Sequence, residues 1–180
     1  MLRFSAFLGL ALLAACKPPA SDDYVTRTRI AGEREGPSKP IPSPDAEGAI
    51  WAPGANANRI LFGKPGAHPL MALACEDGSV SFTRFTAADP NAKAVLALIG
   101  NGHVQHLWVD ATQNGKVWLW RGTLPADDPR LEVFTGANSV EATVPGAGTI
   151  RLSASRLPGE LIARCRPAER PAPSAPAGPA

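Results

Sequence analysis

Between positions 46 and 166, apolar residues occur in short runs separated by Gly, Pro, Asn and Asp roughly every 8–12 residues. This pattern is typical of an all-β sandwich or barrel. We therefore predict a mainly β fold: a single antiparallel β-sandwich or barrel domain at 46–166 with one or two short helices. An Asn-Gly pair at 114–115 predicts a hairpin over 104–121. The predicted strands lie near Ile50–Ala52, Ile60–Gly63, Leu70–Cys75, Ser79–Phe85, Ala94–Ile99, Val104–Asp110, Val117–Arg121, Val140–Val144 and Thr149–Ser153.

Two segments depart from the strand pattern and favour short helices. In LPADDPRLEVFTG, Asp128 suits an N-cap and Pro129 suits the first helical position. Gly136 suits a left-handed residue that ends the helix. These signals predict a helix of one to two turns at 129–135. A second short helix is predicted to start at Pro158.

Proline-rich polar sequence flanks the predicted domain on both sides. Residues 17–45 contain six prolines, five cations and five anions but few apolar residues. Such a segment buries too little apolar surface to offset the entropy of ordering, so we expect a flexible stalk. The Pro/Ala-rich tail at 167–180 is expected to be disordered for the same reason.

The first sixteen residues have the organisation of a secretory signal. Arg3 precedes about a dozen apolar residues, which end in small residues before Cys16. The apolar run is too short to cross a bilayer as a helix, which needs roughly 20 residues. Residues 1–15 are therefore predicted to be a signal peptide.

The residues at the end of this signal, Leu13-Ala14-Ala15-Cys16, resemble the lipobox of bacterial lipoproteins. The resemblance implies that Cys16 becomes the diacylated first residue of the mature chain and begins a lipidated stalk at 16–45. Two or three acyl chains hold a protein stably at a membrane. Lys17, where an Asp retains such proteins in the inner membrane, implies an outer-membrane protein that faces the periplasm.

The lipobox changes how the three cysteines of the chain are interpreted. If Cys16 carries lipid, Cys75 and Cys165 remain as a pair, and an oxidising periplasm favours a disulfide between them. Neither thiol lies in a metal-binding pattern such as C-x-x-C. We therefore expect a disulfide, with no metal and no cofactor.

The charge distribution of the chain bears on which classes of partner it can bind. Lys and Arg total 18 against 16 Asp and Glu, and the two signs are interspersed. Nucleic-acid binding normally needs a clustered basic face, so no nucleic-acid partner is expected. The expected partners are the membrane, through the lipid anchor, and an envelope protein or peptidoglycan.

Three of the four tryptophans lie close together in the sequence and are candidate ligand-binding residues. Trp118 and Trp120 point to one face of their predicted strand, and Trp108 lies on the neighbouring strand of the hairpin. Their indoles would either stack on sugar rings of peptidoglycan or form the core face of the sheet. The sequence leaves both interpretations open.

No catalytic pattern is present in the sequence. It contains no G-x-S-x-G nucleophile motif, no P-loop and no G-x-G-x-x-G. His103 and His106 are three residues apart, which places them on opposite faces of a strand. We expect a non-enzymatic binding or structural module with no catalytic residue.

Two resemblances concern the globular part. An FG-x-PG approach to a strand ending in Cys75, a DP-led helix at Asp128 and a terminal Cys165-Arg166 are similar to features of alphaproteobacterial exported proteins, which implies a fold but no activity. Cys75-Glu76-Asp77-Gly78 before an apolar strand resembles the start of the membrane-bound inhibitors of c-type lysozyme, which implies an alternative inhibitory role. The inhibitory Ser-Gly-x-x-Tyr stretch of that family has no counterpart here, since Tyr24 is the only tyrosine.

Overall fold

A computed structural model of the chain describes residues 39–167. All nine predicted strands are present in it, which confirms the mainly β class. The strands are β1 (Ile50–Pro53), β2 (Arg59–Gly63), β3 (Met71–Glu76), β4 (Ser79–Ala87), β5 (Lys93–Gly100), β6 (His103–Asn114), β7 (Val117–Pro125), β8 (Val140–Thr143) and β9 (Thr149–Leu152).

The strands form one antiparallel sheet in the order β1-β2-β3-β4-β7-β6-β5-β8-β9. The sheet is nearly closed, so its inner face surrounds the core. Its two edge strands approach each other where Ser153, just after β9, donates a hydrogen bond from Oγ to the carbonyl oxygen of Ala49 at 3.3 Å. Near closure of this kind leaves little unpaired strand edge.

Two irregularities curl the sheet. Strand β6 pairs with β5 along its first part, His103–Asp110, and with β7 along its last part, Asp110–Asn114. This one long strand therefore connects β5, β8 and β9 on one side to β7 and the remaining strands on the other. Strand β4 carries a register shift against β7 between Arg84 and Ala87. A bulge of this type increases the local twist and bends the strand.

The hairpin predicted over 104–121 is confirmed, with its turn shifted by one residue. Asn114 pairs with Val117, so the two loop residues are Gly115 and Lys116. Gly115 has a φ of 63°. A glycine at the first loop position supplies the positive φ that a two-residue hairpin needs.

The inner face carries the apolar core, and period-2 alternation along each strand sets which residues reach it. Trp51 packs against Phe62 with ring centroids 5.3 Å apart. Other fully buried members include Met71, Leu73, Val80, Phe82, Leu96, Leu98, Leu107, Ala142 and Ile150.

Both predicted helices are present. A 3₁₀ helix, η1, spans Pro129–Phe134, and Asp128 caps it by accepting a hydrogen bond from the backbone N–H of Arg130 at 2.9 Å. The predicted ending at Gly136 is wrong, because Thr135 ends the helix and Gly136 has no positive φ. Gly136 is needed for space instead, since a Cβ there would lie 2.1 Å from the Asn101 side chain.

The second helix, α1 (Leu157–Cys165), covers the core through Leu161 and Ile162. Its last residue forms the predicted disulfide with Cys75 of β3, at a Cα–Cα distance of 5.4 Å. That distance is within the usual range for a disulfide. The bond therefore fixes the end of the helix to the end of β3.

Ordered structure begins before the predicted boundary at residue 46. The backbone N–H of Ile41 donates to the carbonyl of Gly146 at 2.8 Å, and the Oγ of Ser43 accepts from the N–H of Thr149 at 2.9 Å. Residues 41–43 therefore lie against the β8–β9 turn. The predicted signal peptide, residues 16–38 of the predicted stalk including Cys16, and residues 168–180 of the predicted tail lie outside the described residues.

Candidate functional site

A groove crosses the outer face of the sheet over β2, β3, β4, β7 and the end of β6. Its volume is about 230 Å³, somewhat less than the ~300–1,000 Å³ of pockets for drug-sized ligands. The groove is partly open to solvent. It therefore has room for a small group or for a short stretch of a longer chain.

Small side chains form the floor of the groove. Ala72 and Ala74 on β3 pair with Thr83 and Ser81 on β4, and all four point outward. Ala72 and Ser81 are each only 3% exposed, because the larger side chains around them overhang the floor. The groove thus exists because the sequence places small residues at four adjacent outward positions.

Arg59 forms one wall of the groove. It lies on β2 opposite Ala74, and its guanidinium carbon is 6.0 Å from the centroid of the Phe85 ring, at the limit of a cation–π contact. Its Nε is buried and has no hydrogen-bond partner. Nearly all buried polar groups in proteins are paired, so an unpaired N–H at this position is unusual.

Arg121 on β7 forms the opposite wall and is already paired. Its Nη2 donates to both carboxylate oxygens of Glu76, at 2.6 and 2.5 Å. The Oγ of Ser81 donates to the same carboxylate at 3.1 Å. Both charged side chains are partly exposed, so the pair contributes little to stability, but it fixes the position of the Arg121 guanidinium.

The charged residues that line the groove are two arginines and one glutamate, so its net charge is +1. Because Glu76 neutralises Arg121, this charge is concentrated at Arg59. The hydroxyls and amides of Thr112, Gln113 and Asn114 add hydrogen-bonding groups at the far end. Such a site suits a ligand with one negative charge and several polar groups.

The structure separates the three candidate tryptophans. Trp120 is 7% exposed and packs in the core, and Trp118 is half-buried on the same inner face. Trp108 is 73% exposed on the outer face of β6. The three indoles therefore do not form one platform, and none of them lines the groove.

Trp108 instead belongs to an exposed apolar strip on the outer face of β5 and β6. Ile99 and Val104, which pair across these strands, are 53% and 62% exposed. Beside Trp108, Lys93 forms a salt bridge with Asp110 at 2.9 Å. The strip is a second surface, separate from the groove.

The histidines do not come together. His103 is half-buried, His106 is exposed on the other face of β6, and His68 is exposed in the loop between β2 and β3. Within residues 39–167, no group of three or more His, Cys, Asp or Glu side chains is placed to hold a metal ion.

The most unusual buried residue, Arg84, was not singled out by the sequence. It is 1% exposed on the inner face of β4, and its Nη1 donates to the carbonyl of Leu70 at 2.8 Å. Its Nε and Nη2 are buried without a hydrogen-bond partner, as is Nε1 of Trp120, the residue opposite it on β7. Burial lowers the pKa of Arg84 to about 10.

The fold and the groove together define a disulfide-closed β domain with a small polar groove on the outside of its sheet. Comparison of the chain with protein-family models, with curated proteins and with solved structures finds no match. Of the two helices in the described part of the chain, neither is long and apolar enough to cross a membrane.

Proposed function

We propose that this chain is a lipid-anchored, non-enzymatic module of the bacterial envelope that binds a ligand in the outer groove. The lipobox-like sequence ending in Cys16 supports the anchor and the location, most simply the outer membrane facing the periplasm. The single observation that carries the binding role is the groove, which is lined by Arg59, an arginine that forms no salt bridge with any of the described residues.

Peptidoglycan is the proposed ligand source, because a periplasm-facing lipoprotein lies within reach of the cell wall. The mixture of hydroxyl, amide and charged side chains in the groove suits the polar groups of wall fragments better than an apolar ligand. An envelope protein that inserts a short polar segment is the alternative partner.

A second candidate role, stacking of a glycan ring, rests on Trp108. Its indole is 73% exposed, and an exposed indole offers a flat apolar face to a sugar ring. In this role Trp108→Ala would weaken binding of wall fragments, whereas changes in the groove would not.

Filling the groove tests the main proposal. Ala74→Phe places a large side chain at the centre of the floor, and binding of soluble peptidoglycan fragments should weaken about tenfold or more as the groove fills. Ala97→Phe makes the same change on the outer face of β5, where Leu96 and Leu98 point inward, and serves as the matched control.

Binding is measured by isothermal titration calorimetry on the full chain in detergent, and circular dichroism checks the fold of both variants. Equal affinities for the wild type, Ala74→Phe and Ala97→Phe would contradict a binding site in the groove. Weakened binding in Trp108→Ala alone would favour the exposed tryptophan instead.

The anchor is tested separately in cells. Radiolabelled palmitate should enter the wild-type chain and not Cys16→Ser, because only a thiol at that position accepts the diacylglyceryl group. Lys17→Asp should keep the label and move the protein to the inner-membrane fraction. Label in Cys16→Ser, or an unlabelled wild type, would contradict the lipoprotein assignment.

A further inference from the structure

We propose that the groove recognises its ligand through one carboxylate, which the guanidinium of Arg59 binds beside the ring of Phe85. The inference rests on the proposed function, since it names the chemical class of ligand for the same site. The two arginines that line the groove differ: Arg121 is paired with a carboxylate of the chain, whereas Arg59 is not paired with any of the described carboxylates.

The Arg121 wall has its anion. Glu76 accepts from Arg121 and from Ser81, so a ligand carboxylate there would have to displace an internal carboxylate held by three hydrogen bonds. The same Glu76 would repel a second negative charge. This side of the groove therefore selects neutral, hydrogen-bonding parts of a ligand.

The Arg59 wall lacks its anion. The guanidinium is held near Phe85, and its buried Nε has no acceptor. A carboxylate matches the planar fork of a guanidinium and can accept two parallel hydrogen bonds from it. A carboxylate in the groove would pair with the charge of this guanidinium, which a neutral ligand would not do.

The charge of the groove favours a carboxylate over a phosphate. Its net charge of +1 balances a carboxylate, whereas a phosphate monoester carries close to two negative charges at neutral pH. The groove is also built from strands, so it lacks the helix N-terminus that commonly supports phosphate binding.

The length of the groove sets a second requirement, on the shape of the ligand. Strands β2 and β7 are three strand spacings apart, about 14 Å, so the two walls are separated by the small residues of the floor. A ligand that extends from Arg59 towards Arg121 presents its polar groups to the hydroxyl of Thr83 on β4 and, past β7, to that of Thr112 on β6. An extended carboxylate with amide or hydroxyl groups therefore fits better than a compact anion.

Carboxylates of this type have two sources in the envelope: the peptide stems of wall fragments and free small acids. Three probes separate them. They are soluble disaccharide-peptide fragments, the same fragments with their carboxyl groups amidated, and succinate as the free acid. The wall source predicts that the fragments bind more tightly than succinate, and tighter succinate binding would assign the site to free acids.

The wild-type chain should bind the carboxylate fragments about tenfold more tightly than the amidated ones, the effect of one charge-assisted interaction. Arg59→Gln should weaken binding of the carboxylate form to the level of the amidated form and abolish the preference. Arg59→Lys should keep part of the preference, because it retains the charge without the fork. Arg151→Gln, which removes an exposed charge on β9, is the matched control and should leave both affinities unchanged.

The measured quantity is the ratio of the affinities for the carboxylate fragments and the amidated fragments. A merely structural role of Arg59 would not change this ratio. Equal binding of the two fragment forms by the wild type, with Ala74→Phe still weakening both, would overturn the carboxylate and leave the groove as the binding site. A preference that survives in Arg59→Gln would overturn the role of Arg59. Affinities that Ala74→Phe leaves unchanged would overturn the proposed function itself.

Discussion

Replacing both domain cysteines, Cys75→Ala with Cys165→Ala, is expected to lower the free energy of unfolding by about 4–5 kcal/mol. The bond joins residues 90 positions apart, so it removes the entropy of a long loop from the unfolded chain. Domains of this size are stable by about 5–15 kcal/mol in total. The disulfide is therefore expected to supply a large part of the stability.

The location of the bond makes this loss hard to compensate. Helix α1 is the last element of the domain, and it is fixed to β3 both by the disulfide and by the packing of Leu161 and Ile162. Without the bond, this apolar packing and the hydrogen bonds of Arg164 and Arg166 hold the helix and its C-cap to the rest of the domain. We expect the helix to detach first as denaturant is added.

Urea unfolding followed by tryptophan fluorescence measures the change. Reduced wild-type chain should match the double variant, since both lack the same bond. Cys16→Ser is the control and should unfold like the wild type, because residue 16 lies outside the loop. A double variant within about 1 kcal/mol of the wild type would show that the other contacts of the helix are sufficient to fix it.

The strands and turns of this fold are predictable from the sequence because their signals are local. Val80 and Phe82 alternate with polar residues, which fixes the inner face of β4 by period 2 alone. At Asp77-Gly78, both residues have positive φ, as a tight two-residue turn requires. Each signal needs only a few neighbouring residues to be read.

The arrangement of the strands is not predictable in the same way. Strand β4 pairs with β7 rather than with β5, and β5 pairs with both β6 and β8. These pairings depend on how strands distant in the sequence together enclose one core. No local pattern encodes that choice.

The groove cannot be predicted from the sequence because it depends on this pairing of distant strands. Alternation predicts that Arg59, Ala74 and Arg121 point outward, but not that their strands lie within the same part of the sheet, β2-β3-β4-β7. The three tryptophans Trp108, Trp118 and Trp120 are close in the sequence, yet opposite strand faces separate Trp108 from Trp120. Proximity in the sheet, rather than in the sequence, assembles the site.

Arg84 shows a signal that the sequence did contain. It follows Val80 and Phe82 at the same spacing of two, so period 2 places a charged residue on the inner face. A buried charge normally requires a partner with the opposite charge and a full set of hydrogen bonds. Arg84 has two buried nitrogens, Nε and Nη2, without a hydrogen-bond partner, so its burial is expected to lower the stability of the domain.

Arg84→Met is expected to raise the free energy of unfolding at pH 7 by about 1–3 kcal/mol. Met has a similar length without the charge, so the cost of burying the guanidinium disappears. The carbonyl of Leu70 would lose one donor and keep another, because it also accepts from the backbone N–H of Phe85 at 3.0 Å. The substitution therefore leaves that carbonyl paired.

The effect should depend on pH in a specific direction. Burial lowers the pKa of Arg84 from its ordinary value to about 10 in the folded chain. Between these values the unfolded chain binds more protons at this residue, so its contribution to stability rises with pH. Below pH 10 the penalty is constant, at about 3 kcal/mol for a shift of this size.

The difference in unfolding free energy between Arg84→Met and the wild type should therefore be flat from pH 6 to 9 and shrink above about pH 10. Taking the difference removes the titration of other groups that the two chains share. Arg151→Met, at an exposed position of β9, is the control and should change stability by less than about 0.5 kcal/mol at every pH. If Arg84→Met is less stable than the wild type at pH 7, the guanidinium is stabilised inside the domain, and the core depends on this arginine.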